Sequence, residues 1–82
     1  MRDLTEWTTI GDGVVRAGMF EPLRGTLTLY LSNGHLYDYL EVSPQLANEL
    51  ATAENPDEVF IKKIQHHYEY RLMSQTQRPW GD

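Results

Sequence analysis

Apolar and polar residues alternate along TLTLYLS (26–32), with Leu27, Leu29 and Leu31 on one face and Thr26, Thr28 and Tyr30 on the other. A period of two marks a half-buried strand. VVRAGMF (14–20) and HLYDYLEV (35–42) read as strands before and after it. The connections carry turn chemistry. Gly11-Asp12-Gly13 is a turn signal. In Glu21-Pro22-Leu23-Arg24-Gly25 the proline pre-sets φ and the glycine is free to take φ > 0. Asn33-Gly34 is a hairpin signal. The period then changes. Ser43 fits an N-cap and Pro44 the first helical position, and Leu46, Leu50 and Ala53 follow at helical spacing, predicting a helix over 44–53. Asn55-Pro56 repeats that punctuation, with Asp57 and Glu58 in the first turn, where the helix dipole favours negative charge. Phe60, Ile61, Ile64 and Tyr68 then form an apolar stripe, and Lys62, Lys63, Gln65 and His66 lie off it. The predicted class is α+β: a three-stranded antiparallel meander followed by two short helices packed on one face of the sheet. RDLTEW is left open between a helical turn and an irregular arm. SQTQRPWGD is polar and proline-broken, and reads as a mobile tail. The expected organisation is an N-terminal arm over 1–13, one domain over 14–73 and a tail over 74–82.

The β-hairpin allows two registers. A two-residue loop, Asn33-Gly34, pairs Tyr30 with Tyr37 and Leu29 with Asp38. The tyrosines are then an exposed strip, and Asp38 is buried among leucines. A three-residue loop, Ser32-Asn33-Gly34, pairs Leu29 with Tyr37 and Leu27 with Tyr39. The tyrosines then join the leucines, and Asp38 faces out beside Tyr30, Leu36 and Leu40. A carboxylate buried without a partner costs several kcal/mol, whereas tyrosine tolerates burial when its hydroxyl finds a partner. Asp38 therefore favours the three-residue loop, while Asn-Gly itself favours the two-residue one.

Composition narrows the function classes. At 82 residues the chain is one domain with a thin core. It holds no cysteine, which removes disulfides, thiolate metal sites and a thiol nucleophile and fits a reducing compartment. No leader-like run opens the chain and no segment has the apolar length of a membrane span, so the expected location is cytoplasmic. The net charge of −5 is uneven. Residues 1–59 hold three basic residues against ten acidic, a balance of −7, and residues 60–82 hold four against two, a balance of +2. The acidic total opposes non-specific binding to phosphate backbones, while the basic end leaves room for a local contact. His66 and His67 are adjacent and point about 100° apart on a helix, a poor metal pair. No glycine-rich phosphate loop follows a strand, and no spacing singles out a catalytic triple. The expectation is a protein without enzymatic activity, metal or cofactor.

One longer pattern stands out: L-x-L-x-L-x-x-G-x-x-Y-x-Y-x-x-V-x-P, then a short helix, then an aromatic-aliphatic helix ending in Y-x-Y-R. Its residues here are Leu27, Leu29, Leu31, Gly34, Tyr37, Tyr39, Val42 and Pro44, then Phe60, Ile61, Ile64, Tyr68, Tyr70 and Arg71. This resembles the KTSC domain over roughly residues 14–73. The family is named for its occurrence at the C-terminus of some lysyl-tRNA synthetases, also stands alone in bacterial and phage proteins, and has the central Y-x-Y as its hallmark. Two places depart from it. Asp12-Gly13 stands where the family usually has a serine pair, and Glu54-Asn55-Pro56-Asp57 where it tends to have a serine-glycine turn. The family has no established function. RNA binding has been suggested from its attachment to a synthetase, which is association rather than mechanism.

Two binding readings follow. In the first, a small regulatory module docks to a protein partner or to itself through the outer face of Tyr30, Leu36 and Leu40 and a free strand edge. Blocking a host protein, as phage-encoded proteins of this size commonly do, is one form of this. In the second, Tyr30, Tyr37 and Tyr39 stack RNA bases while Lys62, Lys63, Arg71 and Arg78 meet phosphate. Tyr70, next to Arg71, completes the candidate set. Trp7 and Trp80 lie outside the patterned region; Trp80 reads as part of the mobile tail or as a docking anchor.

Overall fold

Residue 34 decides the hairpin. In the computed structural model, which describes residues 6–74, Gly34 takes φ +86°. The Leu31 amide donates to the His35 carbonyl at 3.1 Å, which closes a three-residue loop. The register is then Leu27 with Tyr39, Thr28 with Asp38, Leu29 with Tyr37 and Tyr30 with Leu36. The Asn33 carboxamide supports the turn, accepting from the His35 amide at 3.0 Å and donating to the Tyr37 hydroxyl at 2.9 Å.

The sheet has five antiparallel strands in chain order rather than the three expected. They are β1 (Thr8–Thr9), β2 (Val15–Glu21), β3 (Thr26–Leu31), β4 (Leu36–Tyr39) and β5 (Tyr70–Ser74). The two extra strands sit at the edges, and neither has a pattern of its own. Two residues are too few to show a period, and β5 follows the second helix without turn punctuation. Part of the expected arm thus belongs to the sheet. Gly25 takes φ +69°, as its turn requires. The segment read as a strand to residue 42 stops at Tyr39, because Glu41 takes φ 57° and the Val42 amide turns back to the Gly25 carbonyl at 2.8 Å.

Helix α1 (Pro44–Thr52) starts where the sequence indicates, with Ser43 Oγ accepting from the Leu46 amide at 3.2 Å. Helix α2 (Pro56–Val59) is capped by Asn55, and its last turn widens into a π-helical stretch over Phe60–Ile64. There the Gln65 amide reaches the Phe60 carbonyl, five residues back, at 2.7 Å. Leu46, Leu50, Phe60 and Ile64 pack with Val15, Leu27, Leu29 and Tyr39 in one core between helices and sheet. Ile61 belongs to the predicted apolar stripe but is half exposed. Burying about 25 cal/mol per Å² of apolar surface, this layer is the main source of stability in so small a chain. The predicted tail from Gln75 on, with Arg78 and Trp80, lies outside the described residues.

Candidate functional site

The alternation of β4 and β5 distributes the candidate residues over both faces of the sheet. On the helix side, Tyr39 pairs with Tyr70 and Tyr37 with Leu72 across the two strands. Tyr39 is buried, with its ring edge-on to Phe60 at a centroid distance of 5.7 Å. Tyr37 lies 5.4 Å from Tyr70, also edge-on, and is half-buried. Tyr70 and Leu72 stay 56% and 46% exposed. Edge-to-face and tilted rings at these separations attract beyond their burial. Tyr37, Tyr39, Tyr70 and Phe60 line a half-open cleft of about 270 Å³ together with Asn33, Gln65 and His66. Burial pushes the Tyr39 hydroxyl up to about 12, with smaller contributions from Tyr37 and Tyr70.

On the opposite face Tyr30 and Leu36 face each other across β3 and β4, both half-buried. Asp38 points to this face, as the three-residue loop predicts. It is nevertheless buried, because β5 lies beyond β4 and makes that strand interior. The Thr28 hydroxyl donates to Asp38 Oδ1 at 2.5 Å, and Arg71 lies 3.9 Å from Oδ2. The expected solvent-facing carboxylate is therefore a partnered one. Leu40 is half-buried beyond the strand, and its amide donates to the Glu69 carbonyl at 2.9 Å.

The cations do not converge on the tyrosines. Lys62 pairs with Glu58 at 3.2 Å one turn back, and Lys63 reaches across to Glu49 of α1 at 2.5 Å. Arg71 faces the sheet side away from the aromatic cleft. Among the described residues no group of three His, Asp or Glu side chains is placed to hold a metal ion, and no helix is long and apolar enough to cross a membrane.

Sequence reading assigned Asp57 to the helix start, and the structure adds a second role. Its two carboxylate oxygens accept from the Val14 and Val15 amides, each at 3.0 Å. A Cβ at Gly13 would come within 2.0 Å of Asp57 Oδ2, so only glycine lets the turn approach. The two segments that depart from the family pattern, 12–13 and 54–57, thus meet in one tie between α2 and β2. A glycine directly before a strand and an acidic residue just inside a helix were the available signals. Neither shows which partner it has.

The family model described as the KTSC domain matches residues 12–68, more than half of the chain. The crystal structure of a KTSC domain protein from Yersinia pestis is similar in fold, with a TM-score of 0.79 at 14% identity, covering 84% of this chain and 97% of that one. No curated protein matches the chain.

Proposed function

We propose that this chain, which belongs to the KTSC domain family, is a non-catalytic binding module that takes an extended protein segment along the edge of β5 that no other strand among the described residues covers. One observation carries the reading. Strand β5 pairs with β4 on one side, and its helix-side residues Tyr70 and Leu72 stand half exposed next to Tyr37. An edge strand offers a row of backbone donors and acceptors, and alternate side chains beside it supply selectivity. An apolar side chain of the added strand would meet the cleft of Tyr37, Tyr39 and Tyr70. A regulatory role, including inhibition of a host protein, fits a small module that acts by occupying a partner. The RNA alternative has weaker support. Tyr39 is buried, Tyr37 and Tyr30 are on opposite faces, and Lys62, Lys63 and Arg71 each stand beside a carboxylate.

The test is a selection from a random peptide library on the immobilised domain, followed by amide NMR titration. Selected peptides are expected to shift the β5 amides and the Tyr37 and Tyr70 rings, and to lose about tenfold or more in affinity with Leu72→Lys, the scale of one lost apolar anchor. If no peptide is selected, and a single-stranded RNA pool at low salt moves Lys62, Lys63 and Arg71, the reading passes to RNA.

A further inference from the structure

The cleft beside β5 is aromatic, yet its polar groups are uncommitted. Among the described residues that line it there is no Lys, Arg, Asp or Glu. Tyr39 is only 3% exposed, but its hydroxyl makes no hydrogen bond among the described residues and is not sealed from solvent, so it opens into the cleft that the residue lines. Burial first, then the hydroxyls of Tyr37 and Tyr70, hold it up at about 12, which keeps it a neutral donor and acceptor. The side chains of Tyr70, Gln65, His66 and Ser32 also line the cleft without a hydrogen bond among the described residues.

A nearly buried hydroxyl with nothing to bond is a group that a ligand would complete. Phenol hydroxyls both donate and accept, so hydrogen bonding alone does not fix the sign of that ligand. The surrounding charge does. The chain carries −5. Glu69 directly precedes Tyr70, and Glu41 follows Tyr39 by two residues. Both are exposed, and neither is in any of the ion pairs among the described residues. Their segments are joined where the Leu40 amide donates to the Glu69 carbonyl at 2.9 Å. Gln65 and His66 follow the last turn of the second helix, the negative end of its dipole, where cations are favoured. The field at the cleft thus suits a positive ligand. Of the two basic side chains, arginine fits better. Its guanidinium is more weakly hydrated than an ammonium, and its five N–H donors can serve several neutral oxygens at once. Its apolar stem suits a cleft lined by rings.

We propose that the cleft holds the guanidinium of an arginine carried by the segment that docks on β5, an inference that rests on that docking. The apolar side chain expected there is then one with a cationic tip.

The test uses the full chain and a capped heptapeptide of alternating threonine and valine, with arginine, citrulline, leucine or glutamate at its centre. Amide NMR of β5 reports docking, and the Tyr39 and Tyr70 ring signals report the cleft. The arginine guest is expected to bind at least about tenfold more tightly than citrulline, its uncharged isostere, or leucine, with glutamate weakest. Bound arginine should also lower the Tyr39 hydroxyl from about 12, whereas citrulline should not. Tyr39→Phe is expected to cut the advantage of arginine over leucine about fivefold. If that variant fails to fold, the contrast between arginine and citrulline on the parent chain decides. Docking of all guests with equal affinity, or a preference for leucine or glutamate, overturns the arginine assignment and leaves the edge reading standing. If no guest moves the β5 amides, the edge reading falls, and the cleft is judged with N-butylguanidinium against N-butylurea. Equal shifts of the Tyr39 ring, or none by about 10 mM, then overturn the guanidinium site as well.

Discussion

The two ends of the second helix are held by different physics. At its start, Asp57 fixes the entry to β2 with two hydrogen bonds of 3.0 Å, and the missing Cβ of Gly13 leaves the space that the carboxylate occupies. At its end, Phe60 meets Tyr39 edge-on and Ile64 is buried in the same core, and ring contacts continue into Tyr37 and Tyr70. The first end is specified by partners of fixed direction. The second is specified by area and shape, which tolerate change and leave an open cleft. A binding surface is easier to build on the second kind, since its side chains are already half exposed and removing one does not orphan a buried polar group.

The contrast can be broken most sharply at the tie. Asp57→Ala removes the acceptor of two amides and is expected to lower stability by about 2–4 kcal/mol, read by urea denaturation. Gly13→Ala should act through the same contact, so the double variant is expected to fall short of the sum of the single losses.

The aromatic end responds to alkali instead. The Tyr39 hydroxyl is held near 12 when folded, against about 10 unfolded. Its raised value favours the neutral phenol in the folded state. Its contribution is thus fully present below about pH 10 and is lost as pH rises from about 10 to about 12, a loss of roughly 2–3 kcal/mol at 1.36 kcal/mol per unit. Denaturation midpoints measured along that range should decline, and Tyr39→Phe should flatten the decline.

Truncation at the cleft rim is expected to be milder. Tyr70→Ala should cost about 0.5–1.5 kcal/mol, because the ring is more than half exposed, while it removes peptide binding. A stability loss equal to that of Asp57→Ala would show that the rim is structural rather than a docking surface. The smallest effect belongs to Lys62→Ala. Its pair with Glu58 is exposed and one turn apart, so thermal melting should register about 0.5 kcal/mol or less.

The sequence by itself determined the parts that short-range chemistry governs. The alternation of Leu27, Leu29 and Leu31, the caps at Ser43 and Asn55, and the positive φ of Gly25 and Gly34 are all local, and each stands in the structure as read. The cost of burying Asp38 among leucines favoured Tyr37 and Tyr39 on the helix side, against the Asn-Gly signal, and the three-residue turn at Gly34 decided the register. Only the tertiary structure decided the rest. Strands β1 and β5 exist because neighbouring strands offer free backbone groups, not because two or five residues specify a strand. The addition of β5 made β4 interior, turned Asp38 from a solvent-facing residue into a partnered buried one, and left Tyr70 and Leu72 at an edge. The meeting of Gly13 with Asp57, and of Tyr37 with Tyr70, depends on how distant segments cross. Contacts of that kind have no period and no fixed spacing, so the chain does not show them until it is folded.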